Sequence, residues 1–260
     1  MREFFDVMAL AVLQGFAEFL PISSSGHLVI MQSLLKINNP GVRLEVVLHL
    51  GTMVSIILYY RATLFALARG ILRRERESLA TVGHIMLSSV PAIFFYVLCK
   101  DKVDAFFEDT TAIGGFLIFT GVVLCALRWI KGGTGPVTAQ RALLVGLAQA
   151  LAVLPGISRS GMTIASARMA GIAPDKAAEF SFLMCLPLLA GAELLDALGN
   201  ASGPTAAATL PAWLLLAGSA VSALVGVISL SLLVKTLHGG RFWMFGVYCF
   251  MAGIFTVFFV

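Results

Sequence analysis

The sequence predicts an all-α integral membrane protein made of two inverted repeats. Each repeat is a re-entrant helical hairpin followed by three transmembrane helices, six full spans in all. Three observations predict this. Of 260 residues, 59% are hydrophobic and 12% charged, whereas a soluble domain carries about 25% charged residues. Six apolar runs approach the ~20 residues that cross a ~30 Å hydrocarbon core. Two polar, glycine-containing stretches interrupt that background 135 residues apart. The apolar runs lack the period-2 alternation of an outer-membrane barrel, so helices are the spanning element.

The first element is a hairpin over about 4–36. It holds Gln14-Gly-Phe-Ala-Glu18-Phe-Leu-Pro-Ile-Ser-Ser-Ser-Gly-His27, polar groups that lipid tolerates only against a protein-lined cavity. Leu28 to Leu35 beyond it gives only ~12 Å of helix at 1.5 Å per residue. Irregular backbone at membrane depth survives where protein surrounds it, so the short helix, loop and short helix read as re-entrant. Three spans follow at Leu44–Tyr60, Leu79–Cys99 (with His84 and Pro91 inside) and Ala112–Ile130. They complete repeat 1, residues 1–135.

Repeat 2, residues 136–260, opens with a hairpin over about 141–171. Ala142 to Leu154 gives ~20 Å of helix, and the loop Pro155 to Gly161 follows it. Three further spans are expected at Ala177–Leu198 (with Glu179, Glu193 and Asp196), Pro211–Val234 and Phe242–Val260. The cysteines, Cys99, Cys125, Cys185 and Cys249, form no CxxC pair and read as small buried hydrophobes. The N-terminus, with Arg2, Glu3 and Asp6, reads as mature chain rather than signal peptide.

The hairpins match each other. A shift of 135 puts Gln14 on Gln149, Ile22 on Ile157, Ser23 on Ser158, Ser25 on Ser160 and Gly26 on Gly161. A re-entrant hairpin returns to its own side and three spans then cross, so the second repeat starts on the opposite face. Sites in inverted-repeat proteins lie near the midplane where broken helices meet.

Lysine and arginine set the orientation. One side holds Arg2, Lys36, Arg43, Lys100 and Lys102. The other holds the Arg61–Arg76 cluster, Arg128, Lys131, Arg141, Arg168, Lys176, Lys235 and Arg241. The richer side is cytoplasmic by the positive-inside rule. Both termini and the first hairpin then face outside, with the acidic loop Asp101–Asp109. The net charge of +4 is small and no basic stripe interleaves with aromatics, so no nucleic-acid partner is expected. The Gly- and Ala-rich spans permit close helix contact and a homodimer.

The loops carry the chemistry. Gln14 and Glu18 are four apart and share a helix face. Glu18 is a candidate base or metal ligand, and Gln14 a candidate amide-oxygen ligand beside it. Ser23, Ser24 and Ser25 supply hydroxyls. Gly26 begins a helix whose N–H groups form an anion site, and His27 can carry a proton at neutral pH. Ser158, Ser160 and Gly161 repeat that phosphate-binding frame, and Arg159 adds a guanidinium, the preferred fork for phosphate oxygens. Glu18 aligns with Val153, His27 with Met162 and Ser24 with Arg159. Acid–base groups therefore sit in one loop and the cation in the other, so the loops compose one asymmetric site. Glu45, His49 and Glu179 read as supporting groups or solvated span edges.

The two motifs, Gln14 to His27 and Pro155-Gly-Ile-Ser-Arg159-Ser-Gly161, resemble the paired signatures of bacterial undecaprenyl-diphosphate phosphatases of the bacitracin-resistance type. The similarity runs through the whole chain in length, span order and loop placement. It implies hydrolysis of the polyprenyl diphosphate carrier to its monophosphate, for recycling in cell-wall synthesis. It also implies an inner-membrane location and a site open to the extracytoplasmic side. That family's first motif has Glu or Gln where this chain has Gln14, so Glu18 is the only carboxylate of the motif. The expected catalytic set is Glu18, Ser24, His27 and Arg159, with Ser24 or a water attacking the terminal phosphorus. A divalent cation, magnesium or calcium, is expected on Glu18 and Gln14. The competing function is a transporter or flippase for a phosphorylated lipid or phosphate, since inverted repeats recur in transporters.

Overall fold

The structure, a computed structural model, describes residues 2–35, 42–130, 133–200 and 210–260. Lys36 and Lys131 of the orientation count lie outside the described residues, as do the side chains of Arg43, Glu193 and Asp196. Every named element among the described residues is helical, and a single bridge joins Gly135 to Ile172.

The first polar stretch separates α1 (Arg2–Ala17) from α2 (Ser24–Leu35). Next come α3 (Val42–Tyr59), α4 (Arg61–Leu72), α5 (Arg76–Phe106) and α6 (Thr110–Ala126). A 3-10 turn, Leu127–Trp129, ends this half. The second polar stretch separates α7 (Ala139–Leu151) from α8 (Arg159–Met169). The chain closes with α9 (Pro174–Asn200), α10 (Ala212–His238) and α11 (Met244–Phe259).

Local chemistry sets several helix starts. Asp109 accepts from Ala112 N at 3.0 Å, Thr138 from Arg141 N at 3.4 Å and Ser158 from Gly161 N at 3.1 Å, each oxygen satisfying an orphan first-turn donor. Pro174 opens α9, where its missing N–H costs nothing. Pro91 and Pro187 lie inside α5 and α9, as membrane helices allow.

Three helices, α5, α6 extended by its 3-10 turn, and α10, are long and apolar enough to cross a membrane. The α3–α4 pair is a fourth if its 75° bend is taken as one broken span. Large apolar side chains face outward, among them Val90 at 59%, Phe94 at 65% and Val97 at 69% exposure. An outer surface this greasy suits lipid rather than water.

Small residues let the helices approach. A Cβ added at Gly114 would lie 2.9 Å from Gly253 O, and one at Gly253 2.6 Å from Gly114 O. One at Gly121 would lie 2.8 Å from Gly246 O, and one at Gly246 2.7 Å from Gly121 O. Only hydrogen fits at these four positions, so α6 and α11 cross antiparallel in backbone contact. On the other side, α10 packs against α1 and α3. Its Ser222 and Ser229 hydroxyls bond Leu48 O and Phe16 O at 3.0 Å, and Ser55 of α3 bonds Ala223 O at 2.8 Å. α7 of the second half packs on α5 of the first in the same manner, with Gly146 against the Ser88 backbone.

The elements differ from the sequence expectation in three places. The helix after the first loop starts at Ser24, not Gly26, because Ser23 takes the capping position with φ +70°. Asp101 to Phe106 is the end of α5 rather than part of a loop. The Arg61–Leu72 stretch, whose Arg61 and Arg69 enter the sequence reading only among the cytoplasmic basic residues, is a helix of its own. Arg69 lies over the Phe65 ring at 4.9 Å there, a cation–π contact that lets a basic helix keep an apolar face.

Candidate active site

The tips of the two hairpins touch. A Cβ on Gly26 would stand 3.0 Å from Gly156 Cα, and one on Gly161 would stand 3.2 Å from Pro21 Cβ. Under the 135-residue shift Pro21 corresponds to Gly156 and Gly26 to Gly161, so each tip meets the other with equivalent residues. Gly156 needs its φ of +96°, which glycine adopts without steric cost.

Hydroxyls tie the tips together. Ser23 Oγ accepts from Gly26 N at 3.4 Å in its own helix and from Gly156 N at 3.1 Å in the other hairpin. Thr120 of α6 donates to Gly156 O at 3.0 Å and accepts from Ser158 N at 3.2 Å. Ser160 donates to Leu20 O at 3.3 Å, while Ser25 lies 3.4 Å from Ser23 Oγ. Ser23, Ser158 and Ser160 are thus bonded within the loop frame.

At the centre of the contact is the Glu18 carboxylate, on the turn that follows α1 and only 6% exposed. Arg159, the first residue of α8, pairs with Oε1. Oε2 accepts from Ser24 Oγ at 2.7 Å and from Gln14 Nε2 at 3.1 Å. His49 Nε2 of α3 stands 3.7 Å from the same oxygen. A buried carboxylate without such partners would carry a large desolvation cost. Four neighbours from both hairpins and α3 offset it. The Arg159 and His49 side chains keep about a fifth of their surface open, 20% and 22%, against 2% for Glu18. They therefore form the exposed rim of the site. The free volume beside the pair, bounded by Phe19, Ser181, Phe182 and Cys185, is about 10 Å³, room for one water.

His27 is the candidate that does not join this cluster. Its Nδ1 lies 2.9 Å from Ser23 O and its Nε2 2.8 Å from the Tyr248 hydroxyl. The rings of His27 and Tyr248 stack at 5.6 Å and 19°. An apolar groove of about 620 Å³ is lined by Phe106, Ala112, Phe116, Phe119, Leu151 and Ile157.

Of the sequence candidates, Gln14, Glu18, Ser24 and Arg159 meet on one carboxylate. Gly26 and Gly161 make the close approach of the tips. The sequence had left His49 among the weaker candidates and had not singled out Tyr248 or Thr120. His49 sits four residues after Glu45 in an apolar span, and that spacing was the available signal. Tyr248 is found by aligning α11 on α6. Gly114 and Gly121 share their seven-residue spacing with Gly246 and Gly253, and this register puts Tyr248 on Phe116. No local signal marks Thr120, whose partners belong to another element.

Gln14 Oε1 is fully buried and has no hydrogen-bond partner, and Gln149 Oε1, its counterpart, is alike. No group of three or more His, Cys, Asp and Glu side chains surrounds a metal position among the described residues. Gln14 Oε1, the Glu18 carboxylate and Ser24 Oγ are hard oxygen donors. They suit a cation that draws its other ligands from phosphate oxygens and water.

Helices with a lipid-facing exterior and a buried carboxylate–guanidinium site between two hairpin tips define a multi-pass membrane protein with an internal polar centre. The chain matches the family described as bacitracin resistance protein BacA over residues 7–255 and belongs to that family. It is 38% identical to an undecaprenyl-diphosphatase of Desulfosudis oleivorans, over 95% of this chain and 94% of the relative. It is 37% identical to one of Rhodopirellula baltica, over 99% and 98%. A third, from Methanococcus maripaludis, is 34% identical over 98% and 100%.

Proposed function

We propose that this protein is an integral membrane phosphatase that hydrolyses undecaprenyl diphosphate to undecaprenyl phosphate and inorganic phosphate. That activity recycles the lipid carrier for cell-wall synthesis and confers bacitracin resistance. Family membership and the names of the relatives support the reaction. The observation that carries the site assignment is the Ser24 hydroxyl, bonded at 2.7 Å to a carboxylate whose other oxygen holds Arg159. A nucleophile in hydrogen-bond reach of its base, with a cation alongside, is an arrangement for phosphoryl transfer.

The space beside Glu18 is too small for a phosphate, so the diphosphate has to replace Glu18 on Arg159. The guanidinium fork then grips the terminal phosphoryl oxygens, and Glu18 is released to act as base. Glu18 takes the Ser24 proton as Oγ attacks the terminal phosphorus. The bridging P–O bond breaks, and undecaprenyl phosphate leaves with that oxygen and the proton from Glu18. A water then attacks the phosphorus of the phosphoserine, the Ser24 Oγ–P bond breaks to release inorganic phosphate, and His27 carries the water's proton to the departing Ser24 oxygen. Ser23, Ser25, Gly26, Ser158, Ser160 and Gly161 form the phosphate-binding frame, with first-turn N–H groups of α2 and α8 facing the anion. The cation, magnesium or calcium, would be held by Glu18 and Gln14 and would neutralise phosphate charge. The apolar groove ending at Ile157, next to Ser158, suits the prenyl chain.

The six-span topology belongs to the same proposal. Repeat 1 (1–135) and repeat 2 (136–260) are related by a pseudo-twofold axis in the membrane plane. The reciprocal glycine contacts of α6 with α11, and of the two tips, support it: equivalent positions meet in exchanged order, as at a two-fold interface. Both termini and the site face the extracytoplasmic side of the inner membrane, on the lysine and arginine asymmetry.

The test is phosphate release from undecaprenyl diphosphate in detergent, where no gradient exists for transport. Release should be lost with chelator and in Ser24→Ala, and phosphate trapped on Ser24 should be recovered from quenched parent enzyme. Near-normal turnover by Ser24→Ala would remove the serine from the mechanism. No release by the parent enzyme would leave a transporter or flippase.

A further inference from the structure

His27 has two ring nitrogens, and the structure assigns them different work. Nδ1 faces the Ser23 carbonyl at 2.9 Å. A carbonyl only accepts, so in the neutral ring Nδ1 carries the proton and Nε2 the lone pair. Nε2 in turn faces the Tyr248 hydroxyl at 2.8 Å, which must donate to it. The imidazole is 9% exposed and Tyr248 is 47% exposed. The hydroxyl therefore stands between the one basic nitrogen and its surroundings. Cys249, next in the chain, donates to Pro21 O at 3.3 Å, so α11 is anchored to the first hairpin where the contact is made.

In the register of the matched glycines Tyr248 corresponds to Phe116, and by the loop match His27 corresponds to Met162. His27 of repeat 1 meets Tyr248 of repeat 2. The equivalent places in exchanged order hold Met162 of repeat 2 and Phe116 of repeat 1, a thioether and a phenyl ring. A phenol used only for packing has no reason to appear only where the equivalent partner position holds an imidazole.

We infer that the Tyr248 hydroxyl is the relay through which His27 exchanges its proton with the attacking water and the departing Ser24 oxygen. The inference rests on the phosphatase mechanism proposed above. The hydroxyl takes a proton from the attacking water as it gives its own to Nε2. On return Nε2 gives that proton back, and the hydroxyl passes one to the Ser24 oxygen. Tyr248 is a neutral phenol before and after each transfer, and the net result is one proton moved from water to serine.

The experiment is steady-state hydrolysis of undecaprenyl diphosphate by purified full-length variants. Tyr248→Phe keeps the ring and removes only the hydroxyl. Its kcat should fall about tenfold, the rate equivalent of one neutral hydrogen bond lost at the transition state, with KM unchanged within about twofold. In a His27→Asn background the same substitution should cost nothing further, because residues acting as one unit are not additive. A parent-like Tyr248→Phe, or losses that multiply in the double variant, overturns the relay. Site-specific fluorotyrosine at 248 keeps shape and fold and changes the acidity of the hydroxyl. It should change kcat, and an unchanged kcat also overturns the relay. An inactive parent enzyme would instead sink the phosphatase assignment itself.

Discussion

Glu18 has two oxygens and at least four polar neighbours, and that crowding explains why a carboxylate persists at such depth. Arg159, Ser24, Gln14 and His49 come from different parts of the chain and converge on one group. Taking away the charge removes the anchor of Arg159 and, in the proposed mechanism, the base. Glu18→Gln is expected to lower kcat/KM by about 10²–10⁴-fold, the range of a lost acid–base group, read as phosphate release in detergent. Arg159→Lys keeps the charge but not the fork. It is expected to cost about 10²–10³-fold, as when one transition-state donor is removed. Parent-like rates in both variants would sink the site. Gln14, Glu18, Ser24 and Arg159 stood out in the sequence because polar groups are rare in so apolar a chain. His27 stood out for the same reason, but only the folded chain shows it turned to Tyr248 rather than to Glu18.

At the scale of elements, caps and glycines do the positioning. Ser158 holds the start of α8, and with it Arg159, by accepting from Gly161 N at 3.1 Å. Ser158→Ala is expected to cost about 1 kcal/mol as a lost N-cap, seen as a lower thermal midpoint in detergent. The α6–α11 crossing tolerates less. At Gly121 even a Cβ falls 2.7 Å from Phe250 N. Gly121→Val is therefore expected to destabilise by about 1–3 kcal/mol through overpacking. An unchanged midpoint would mean that the seam is looser than its contacts. Hydropathy marked the helices that became α3, α5, α6, α9, α10 and α11, because apolar runs and their polar interruptions are local features. It did not mark α4, where a 75° bend after α3 follows from no breaker residue in the sequence.

For the whole molecule the prediction is topological. If the repeats are inverted, the hairpins open from opposite faces. In a background with the four cysteines replaced, Phe5→Cys at the start of α1 should react with an impermeant maleimide from outside. Gln140→Cys, at the start of α7, should react only from the cytoplasmic side. Both positions are exposed. Labelling of both from one side would refute the inversion. The reciprocal contacts of the tips, Gly26 with Gly156 and Gly161 with Pro21, already have the exchange of equivalents that a two-fold relation requires.

The chain's composition and its polar loops were enough to read a helical membrane protein and to mark the residues of one polar centre composed from two loops. Hydrophobicity and loop chemistry act over a few residues and need no partner to be recognised. The sharing of one carboxylate by Ser24 and Arg159, 135 positions apart, depended on packing. So did the entry of His49 and the pairing of His27 with Tyr248, 221 positions away. A hydrogen bond has a reach of about 3 Å, and sequence distance carries no information on that scale. Only when α6 crosses α11 and the two tips close does the chain choose which polar groups meet.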